Sequence, residues 1–294
     1  MKQIIFDCDS SAGIPGYPMD DALALFYLLG RQEEAEVLAV TCTFGNGTAK
    51  QVYRASRELL AEAGWGHLPV ICGTSRGEEP VSDAARFIVE AARKKPGELS
   101  FVGIGSLTNL YGASLLDPGI FDRLKEIVLM GGYTAPLLYH GSHLDELNFS
   151  VNPEAAAWVL NHGKNISILT GNNTLEPSYL PKEEFYTAMG RNEAGRYLAE
   201  KLGYRFDVKE MRNGEAVSYC WDVVASVYLL HPELFVDAPS FCYVTEKGMQ
   251  SGWLGVTEQA PDTCLLNLPR VKDLEAYRKE MYRGWLDLKL GKRP

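Results

Sequence analysis

Residues 7–25 read DCDSSAGIPGYPMDDALAL, in which two acidic pairs are joined by a segment rich in glycine and proline. The first pair closes a short apolar run at residues 4–7, which is typical of a buried β-strand. The second pair opens the apolar run at residues 20–29, which favours a helix because carboxylates suit the positive end of a helix dipole. A strand that ends in acids and a helix that begins with acids therefore follow each other here.

Outward from this stretch, strand and helix patterns alternate along the chain. Such alternation predicts an α/β fold, with an open, mostly parallel (mixed) sheet covered by helices on both faces in a Rossmann-like manner. No linker or repeat interrupts residues 1–294, so we expect a single domain. The stretch 133–145 is long and rich in Tyr, His and Gly, which is typical of an active-site loop. The further predicted strands are residues 37–43, 69–72, 99–104, 126–130, 166–170, 241–245 and 264–268, and the further predicted helices are residues 49–63, 83–94, 107–115, 153–160, 181–189, 194–201, 216–230 and 272–288.

The composition is that of a globular protein, with 294 residues of which 46% are hydrophobic and 23% charged. A formal net charge of −9 argues against nucleic acid or an anionic membrane as the partner. The six cysteines contain no CxxC pair, so we interpret them as reduced thiols rather than as disulfides or a zinc site. The N-terminus passes directly into the first strand and no apolar run approaches membrane-spanning length, so we expect a cytoplasmic protein.

Four carboxylates belong to the edge of the predicted sheet where ligands bind in open α/β folds, outside the carboxyl ends of the strands. They are Asp7, Asp9, Asp20 and Asp21. Carboxylates gathered at one point raise one another's pKa values unless a cation neutralises them. Such oxygen ligands favour a hard ion, calcium or magnesium, over zinc. In the alternative interpretation, Asp20 and Asp21 only cap a helix and the other two acids lie in a turn.

Asp222 adds a fifth carboxylate from a distant part of the chain. It lies in the apolar stretch 217–225, within a predicted helix. Apolar neighbours on both sides argue against simple exposure, and burial of an unpaired carboxylate is very costly. We therefore predict that Asp222 joins the same cation site.

The start of the chain resembles the nucleoside hydrolase family, the inosine-uridine preferring, calcium-dependent N-ribohydrolases, in which D-x-D is followed by a D-D pair that opens a helix. Further stretches resemble this family in the same order. The resemblance implies an enzyme that uses water to cut the N-glycosidic bond of a ribonucleoside, and it implies a homodimer or homotetramer. The further stretches are VTCTFGN (40–46), GSLTNL (105–110), EIVLMGG (126–132), ELNFSVNPEAA (146–156) and WDVVASVYLLHPELF (221–235).

The resemblance implies a role for each residue of the metal site. Asp9 would be the catalytic general base, which takes a proton from a calcium-bound water and also lies close to the ion. Asp7, Asp21 and Asp222 would bind calcium through their carboxylates, and Ile104 would provide only its backbone carbonyl. Calcium in such a site orients the water and lowers its pKa.

Four polar residues would hold the substrate's ribose hydroxyls. By the resemblance, they are Asp20, Asn46, Glu146 and Asn148. Cleavage of the C–N bond builds positive charge on the ribose, and carboxylate and amide oxygens stabilise that charge. From the residues alone, Asn46 between two glycines also fits a turn, and Glu146 and Asn148 also fit an exposed loop.

The chain departs from the family pattern in three places. The segment between Asp9 and Asp20 is longer than in the commonest version, and an asparagine of the loop after MGG has no clear match. Trp221 stands where many members have a histidine that helps to protonate the leaving base. Trp221 fits a core position or stacking on the base. Purine-preferring members of the family use tryptophan stacking, so the resemblance implies a purine nucleoside. His140 and His143 are the candidate leaving-group acids, and both also fit exposed loop positions.

Two other functions fit part of the pattern. A non-catalytic protein of the same fold could bind a nucleoside or ribose, but the retained Asp9 argues for activation of water. A haloacid dehalogenase-type phosphatase also has D-x-D after its first strand, and residues 166–170 resemble its strand-ending threonine motif. That class needs an acidic pair at a later strand end, whereas Asp20 and Asp21 come far too early.

Overall fold

Strand β1 (Lys2–Cys8) lies inside a nine-stranded sheet of the computed structural model, which describes residues 1–14, 17–139, 142–144, 146–207, 211–212 and 215–291. Its sequence, KQIIFDC, is buried from its third residue onward, as expected of an interior strand. The other strands are β2 (Ala35–Cys42), β3 (Val70–Cys72), β4 (Leu99–Gly103), β5 (Leu124–Met130), β6 (Leu138–Tyr139), β7 (Ser142–His143), β8 (Ile166–Leu169), β9 (Tyr179–Pro181), β10 (Met211–Arg212), β11 (Glu215–Tyr219), β12 (Phe235–Val236), β13 (Pro239–Tyr243), β14 (Gly255–Thr257), β15 (Cys264–Asn267) and β16 (Arg270–Val271).

The large sheet is mixed but mostly parallel. Its strand order is β14-β13-β15-β8-β5-β4-β1-β2-β3. β1 pairs in parallel with β2 and β4, and β5 pairs in parallel with β4 and β8. Near the other edge, β13 pairs antiparallel with β14 and β15. The predicted α/β class with an open, mostly parallel sheet is confirmed.

Helices cover both faces of the sheet. Side chains alternate between the two faces along each strand, so the buried side chains of one strand pack against helices on both sides. The helices are α1 (Asp20–Gly30), α2 (Ala49–Glu62), α3 (Asp83–Lys94), α4 (Thr108–Leu116), α5 (Ile120–Arg123), α6 (Pro153–His162), α7 (Gly171–Ser178), α8 (Lys182–Met189), α9 (Glu193–Leu202), α10 (Val223–Leu230), α11 (Glu246–Met249) and α12 (Leu274–Leu286). Ile4 and Phe6 of β1 belong to a core shared with α1, α2, α10 and α12, whereas Ile5 belongs to a core shared with α3, α4 and α6. Among the described residues, no helix has both the length and the apolar character needed to cross a membrane.

The carboxyl ends of the parallel strands all open onto one edge of the sheet. Asp9 follows β1, Ile104 follows β4 and Gly132 lies just beyond β5. Asn46 lies in the loop between β2 and α2. Parallel pairing therefore brings segments that are far apart in the sequence to a single place, which is where ligands bind in this architecture.

The prediction of a helix at residues 216–230 is wrong in its first part. Glu215–Tyr219 forms β11, which pairs antiparallel with β9, and only Val223–Leu230 is helical. The partner strand lies far away in the sequence, so an apolar run alone does not distinguish this strand from a helix. As a consequence, Asp222 is the N-cap residue of α10 rather than an interior helical residue. The sequence prediction also lacks α7, which begins after the capping hydroxyl of Thr170.

Helix α1, whose first turn is acidic, is fixed against α12 by close backbone contact. A Cβ on Gly30 would stand 1.8 Å from the Gly284 carbonyl oxygen, and a Cβ on Gly284 would stand 2.2 Å from the Tyr27 ring. Beside this contact, the buried indole of Trp285 donates a hydrogen bond to the Leu23 carbonyl at 2.9 Å. These contacts set the place of α1 in the core.

Gly30→Ala should lower the free energy of unfolding by about 1–3 kcal/mol, because the added methyl group meets backbone atoms that no side-chain rotation can move. Gly66→Ala is the matched control, because its Cβ would have its nearest neighbour at 3.5 Å, an ordinary contact. Urea unfolding of both variants measures the difference. Equal stability of the two variants would contradict the close approach of α1 and α12.

Candidate functional site

Three carboxylates from the starts of two helices form an acidic cluster. Asp20 and Asp21 lie in the first turn of α1, and Asp222 is the N-cap residue of α10. One carboxylate oxygen from each residue lies within 4.8 Å of those of the other two, and all three residues are buried. Because α1 packs against α10, tertiary structure gathers acids from distant parts of the sequence.

Asp9 connects this acidic cluster to the end of β1. Its backbone N–H donates a hydrogen bond to Asp21 Oδ1 at 3.1 Å. Its own Oδ2 accepts a hydrogen bond from the backbone N–H of Asn46. One carboxylate oxygen of Asp9 is thereby fixed by the loop after β2, while Oδ1 has no hydrogen-bond donor among the described residues.

Burial raises the pKa of each carboxyl group in this site. The pKa of Asp9 and that of Asp20 rise to about 6. The pKa values of Asp21 and Asp222 rise well above the usual value, first because of burial and then because the neighbouring acids are negatively charged. The positive charge of Arg205 opposes the increase at Asp20. At neutral pH the site therefore favours the binding of a proton or of a metal cation.

A hard divalent cation fits this set of donors. Asp9 Oδ1 and Asp21 Oδ2 are both buried, and neither has a hydrogen-bond donor in the part of the chain that the structure describes. Carboxylate oxygens without donors are costly to bury, and a bound cation removes that cost. The acidic cluster consists of carboxylates, which are the ligands that calcium and magnesium prefer.

Asp7, which the sequence resemblance assigns to the cation, lies outside the acidic cluster. Its Oδ2 accepts hydrogen bonds from Thr41 Oγ1 at 2.6 Å and from Asn109 Nδ2 at 2.8 Å. Burial raises the pKa of Asp7 to about 7, although both hydrogen bonds oppose this increase. The carboxylate therefore connects β1 to β2 and α4. Sequence analysis does not single out Thr41 or Asn109, although both lie in stretches that resemble the family.

A cavity of about 280 Å³ lies beside the acidic cluster. Its wall contains most of the residues that the sequence predicts for the site, which come from loops after four parallel strands and from two helix starts. The predicted residues in the wall are Asp9, Asp20, Asn46, Ile104, Glu146, Asn148, Trp221 and Asp222. The structure thus brings together the predicted substrate-binding residues around one space.

Glu146 and Asn148 are fixed by the backbone around them. The Glu146 carboxylate accepts hydrogen bonds from the N–H groups of Phe149 at 3.0 Å and Ser150 at 3.2 Å. Asn148 donates from Nδ2 to the Met130 carbonyl at 2.9 Å. Burial raises the pKa of Glu146 to about 7, against the effect of the N–H groups. Both side chains are therefore ordered parts of the cavity wall rather than exposed loop residues.

Trp221 gives the cavity an aromatic wall next to the acids. Its ring is half-buried and stacks on Tyr219, with the ring centroids 5.5 Å apart and the planes at 20°. Leu137 and Leu144 also contribute to the wall. The cavity wall therefore combines carboxylates with apolar and aromatic side chains.

The two candidate leaving-group acids have different outcomes. His140 lies outside the described residues. His143 is in β7, which pairs with β6 in a short hairpin, and its side chain is exposed. It is not part of the described cavity wall, and its role as a leaving-group acid stays a prediction. Leu144, the next residue along the chain, contributes to the wall instead.

Residues 4–276 match the family model described as inosine-uridine preferring nucleoside hydrolase. An inosine-uridine preferring nucleoside hydrolase of Crithidia fasciculata is 28% identical over 269 residues, which cover 79% of this chain and 80% of that protein. A probable uridine nucleosidase 2 of Arabidopsis thaliana is 27% identical over 280 residues, which cover 85% of this chain and 84% of that protein.

Solved structures show the same fold. A purine-preferring ribonucleoside hydrolase from Gardnerella vaginalis superposes with a TM-score of 0.82 at 22% identity, covering 98% of this chain and 99% of that one. A plant nucleoside hydrolase gives a TM-score of 0.82 at 22% identity, covering 97% of this chain and 99% of that one.

With divalent cations removed, the stability of the protein should fall as the pH rises from about 4 to about 6. Burial raises the pKa of Asp9 and of Asp20 from 3.8 to about 6, so the folded state retains protons that the unfolded chain releases. This contribution to stability is complete below the unfolded pKa of 3.8 and is lost as the pH rises through about 6. Urea unfolding in chelator at a series of pH values measures it.

Asp222→Asn is the diagnostic variant, because it removes one negative charge from the acidic cluster. It should weaken the pH dependence in chelator and reduce the stabilisation by calcium, which is about 2.7 kcal/mol for one site at 100 times the dissociation constant. Asp262→Asn, at an exposed position, should behave like the wild type. Equal calcium stabilisation in all three proteins would contradict a cation site at the acidic cluster.

Proposed function

Because the chain belongs to the inosine-uridine preferring nucleoside hydrolase family, which hydrolyses the N-glycosidic bonds of nucleosides, we propose that it cleaves a ribonucleoside, with a preference for purines, in the cavity beside the acidic cluster. One observation carries this proposal: Asp9 lines the same cavity as Asp222 of the acidic cluster and the ribose-binding candidates. Water adds its oxygen to the ribose carbon, and the base departs with the electrons of the C–N bond.

We propose calcium as the ion, because the family resemblance implies it and because carboxylate oxygens are ligands that it prefers. Ile104, in the cavity wall, would add its backbone carbonyl. Asp21 and Asp222 would hold the ion, with Asp9 beside them. Asp7 supports the strand end instead, since its Oδ2 already accepts two hydrogen bonds. When bound, the ion supplies an oriented water of lowered pKa and a charge that can bind ribose hydroxyls.

Asp9 serves as the general base in this proposal. Its Oδ2 is held by the Asn46 N–H, and its backbone N–H is held by Asp21. Oδ1 is buried and has no hydrogen-bond donor among the described residues, so it would accept a proton from the attacking water. The hydrogen bond to Oδ2 orients the carboxylate for this proton transfer.

The ribose lies between two sets of oxygen atoms. Asp20 and Asn46 approach from the side of the acidic cluster, and Glu146 and Asn148 approach from the loop before α6. As the C–N bond breaks, positive charge develops on the ribose ring. Carboxylate and amide oxygens that are already in place stabilise this charge without having to reorganise.

The preference for a purine rests on Trp221. This ring is held in place by its stacking on Tyr219, and it forms part of the cavity wall beside Asp222. Stacking against a nucleobase contributes about 1–3 kcal/mol. A purine offers the larger ring system, so it gains more from this contact than a pyrimidine does.

Asp9→Asn should lower kcat by about 10²- to 10⁴-fold, because an amide cannot accept the proton of the attacking water. The assay follows free ribose released from inosine, adenosine, guanosine, uridine and cytidine, with calcium and with chelator. Asp262→Asn should retain wild-type turnover. Near-normal rates for Asp9→Asn would refute its role as the base.

The same assay on the wild type distinguishes the alternative functions. Binding of a nucleoside without turnover would favour a nucleoside-binding protein, and phosphate release from phosphomonoesters would favour a phosphatase.

Trp221→Ala should lower kcat/KM for purine nucleosides by roughly 5- to 150-fold, which corresponds to the loss of about 1–3 kcal/mol of stacking. The loss should be smaller for a nitrophenyl riboside, whose activated leaving group departs without this help. Trp158→Ala, on the exposed side of α6, is the matched control and should have little effect on either substrate. Equal losses on both substrates for Trp221→Ala would argue against stacking.

A further inference from the structure

Gly252 lies directly against Glu146, although it is not part of the described cavity wall. A Cβ on Gly252 would stand 2.3 Å from Glu146 Oε2 and 2.8 Å from both Cβ and Cδ of that side chain. Such distances are far below ordinary van der Waals contact, so either atom would have to move. Gly252 also has a φ of +74°, which glycine adopts without strain. Only a residue without a side chain leaves Glu146 in its place.

The segment that carries Gly252 is fixed to the loop after β5. The Tyr133 N–H donates a hydrogen bond to the Gly252 carbonyl at 2.9 Å, and the Leu254 N–H donates to the Tyr133 carbonyl at 2.9 Å. The rings of Tyr133 and Trp253 meet edge to face, with their centroids 5.3 Å apart. Gly132, the neighbour of Tyr133, is part of the cavity wall. The segment therefore cannot move away from Glu146 without breaking its contacts with that wall.

Two kinds of contact thus hold the Glu146 carboxylate. The N–H groups of Phe149 and Ser150 donate hydrogen bonds to its oxygens, and Gly252 packs against its carboxyl and Cβ atoms. Hydrogen bonds set the orientation of the carboxylate, and close packing sets its distance from the cavity. Neither constraint alone fixes both.

We propose that Gly252 is a positioning residue for nucleoside hydrolysis, which holds the Glu146 carboxylate where the substrate ribose binds. The inference rests on the proposed role of Glu146 in binding the ribose. A displacement of a positioning group by about 1 Å can cost on the order of 10²-fold in rate.

Gly252→Ala tests this role, with Gly97→Ala as the matched control. Gly97 has a φ of +77°, and its Cβ would meet no atom within 4 Å, so its alanine variant has the same kind of backbone strain without a clash. For a nitrophenyl riboside, Gly252→Ala should raise KM by about tenfold or more, and Gly97→Ala should leave it nearly unchanged. Calcium stabilisation should be retained in both variants, because the acidic cluster is not touched. An unchanged KM in Gly252→Ala would overturn the proposal.

A second readout does not depend on activity. The ¹³C NMR signal of the Glu146 carboxyl, assigned by its loss in Glu146→Gln, reports the pKa of this group, which burial raises to about 7. Displacement toward solvent in Gly252→Ala should return the pKa toward its usual value of 4.5, while Gly97→Ala should retain the wild-type titration. If the wild type releases ribose from no nucleoside, the proposed function fails, and this titration alone decides the role of Gly252. Identical titrations in wild type and Gly252→Ala would overturn it.

The double variant Glu146→Ala/Gly252→Ala covers the case in which Gly252→Ala does not fold. Loss of the Glu146 carboxyl removes most of the clashing atoms, so the second substitution should be tolerated in the Glu146→Ala background. If Gly252→Ala folds, its effect on KM should largely disappear in that background, because both changes act through one side chain. Fully additive losses, or a double variant that fails to fold when Glu146→Ala folds, would overturn the proposal.

Discussion

Repulsion among buried carboxylates is the constraint on which this structure depends. Two like charges 4 Å apart repel by about 4 kcal/mol at an effective dielectric constant of 20, and a whole domain is stable by only about 5–15 kcal/mol. Asp9, Asp20, Asp21 and Asp222 cannot all be charged and uncompensated in one buried place. The fold still holds them together, since α1 is locked against α12 and the end of β1 is bound to α1. Such a site is ready for a cation, and a chain selected for stability alone would have avoided it.

The acids of the D-x-D motif have different environments because the strand ends between them. Asp7 is still part of β1, and its side chain is fixed by hydrogen bonds from Thr41 of β2 and Asn109 of α4. Asp9 lies beyond the last paired residue, where the backbone is free to turn toward α1 and the cavity. Although only one residue separates them, Asp7 therefore supports the strand end, whereas Asp9 is placed for the proposed chemistry.

The cavity wall offers contacts for both parts of a nucleoside. Its carboxylate and amide side chains provide oxygen atoms, which suit a sugar that becomes positively charged. Its apolar and aromatic side chains, among them Trp221, suit a base that must be held while it leaves. Glu146 is one of the carboxylates, and its position depends on Gly252, a residue of a distant segment that is not in the cavity wall. Support from outside the cavity is thus part of how the site is built.

The sequence by itself determined the alternation of strands and helices and the acids at the end of β1 and the start of α1. These features are local, because burial patterns and helix starts depend on neighbouring residues. Asn46, Ile104, Glu146 and Asn148 of the cavity wall were indicated by the resemblance to a family rather than by such local patterns. Only the tertiary structure decided that Glu215–Tyr219 is a strand, that Asp7 lies outside the acidic cluster, that His143 is exposed, and that Gly252 packs against Glu146. The strand, the place of Asp7 and the packing of Gly252 each depend on a partner far away in the chain. Periodicity within one segment does not show which distant segment will pack against it.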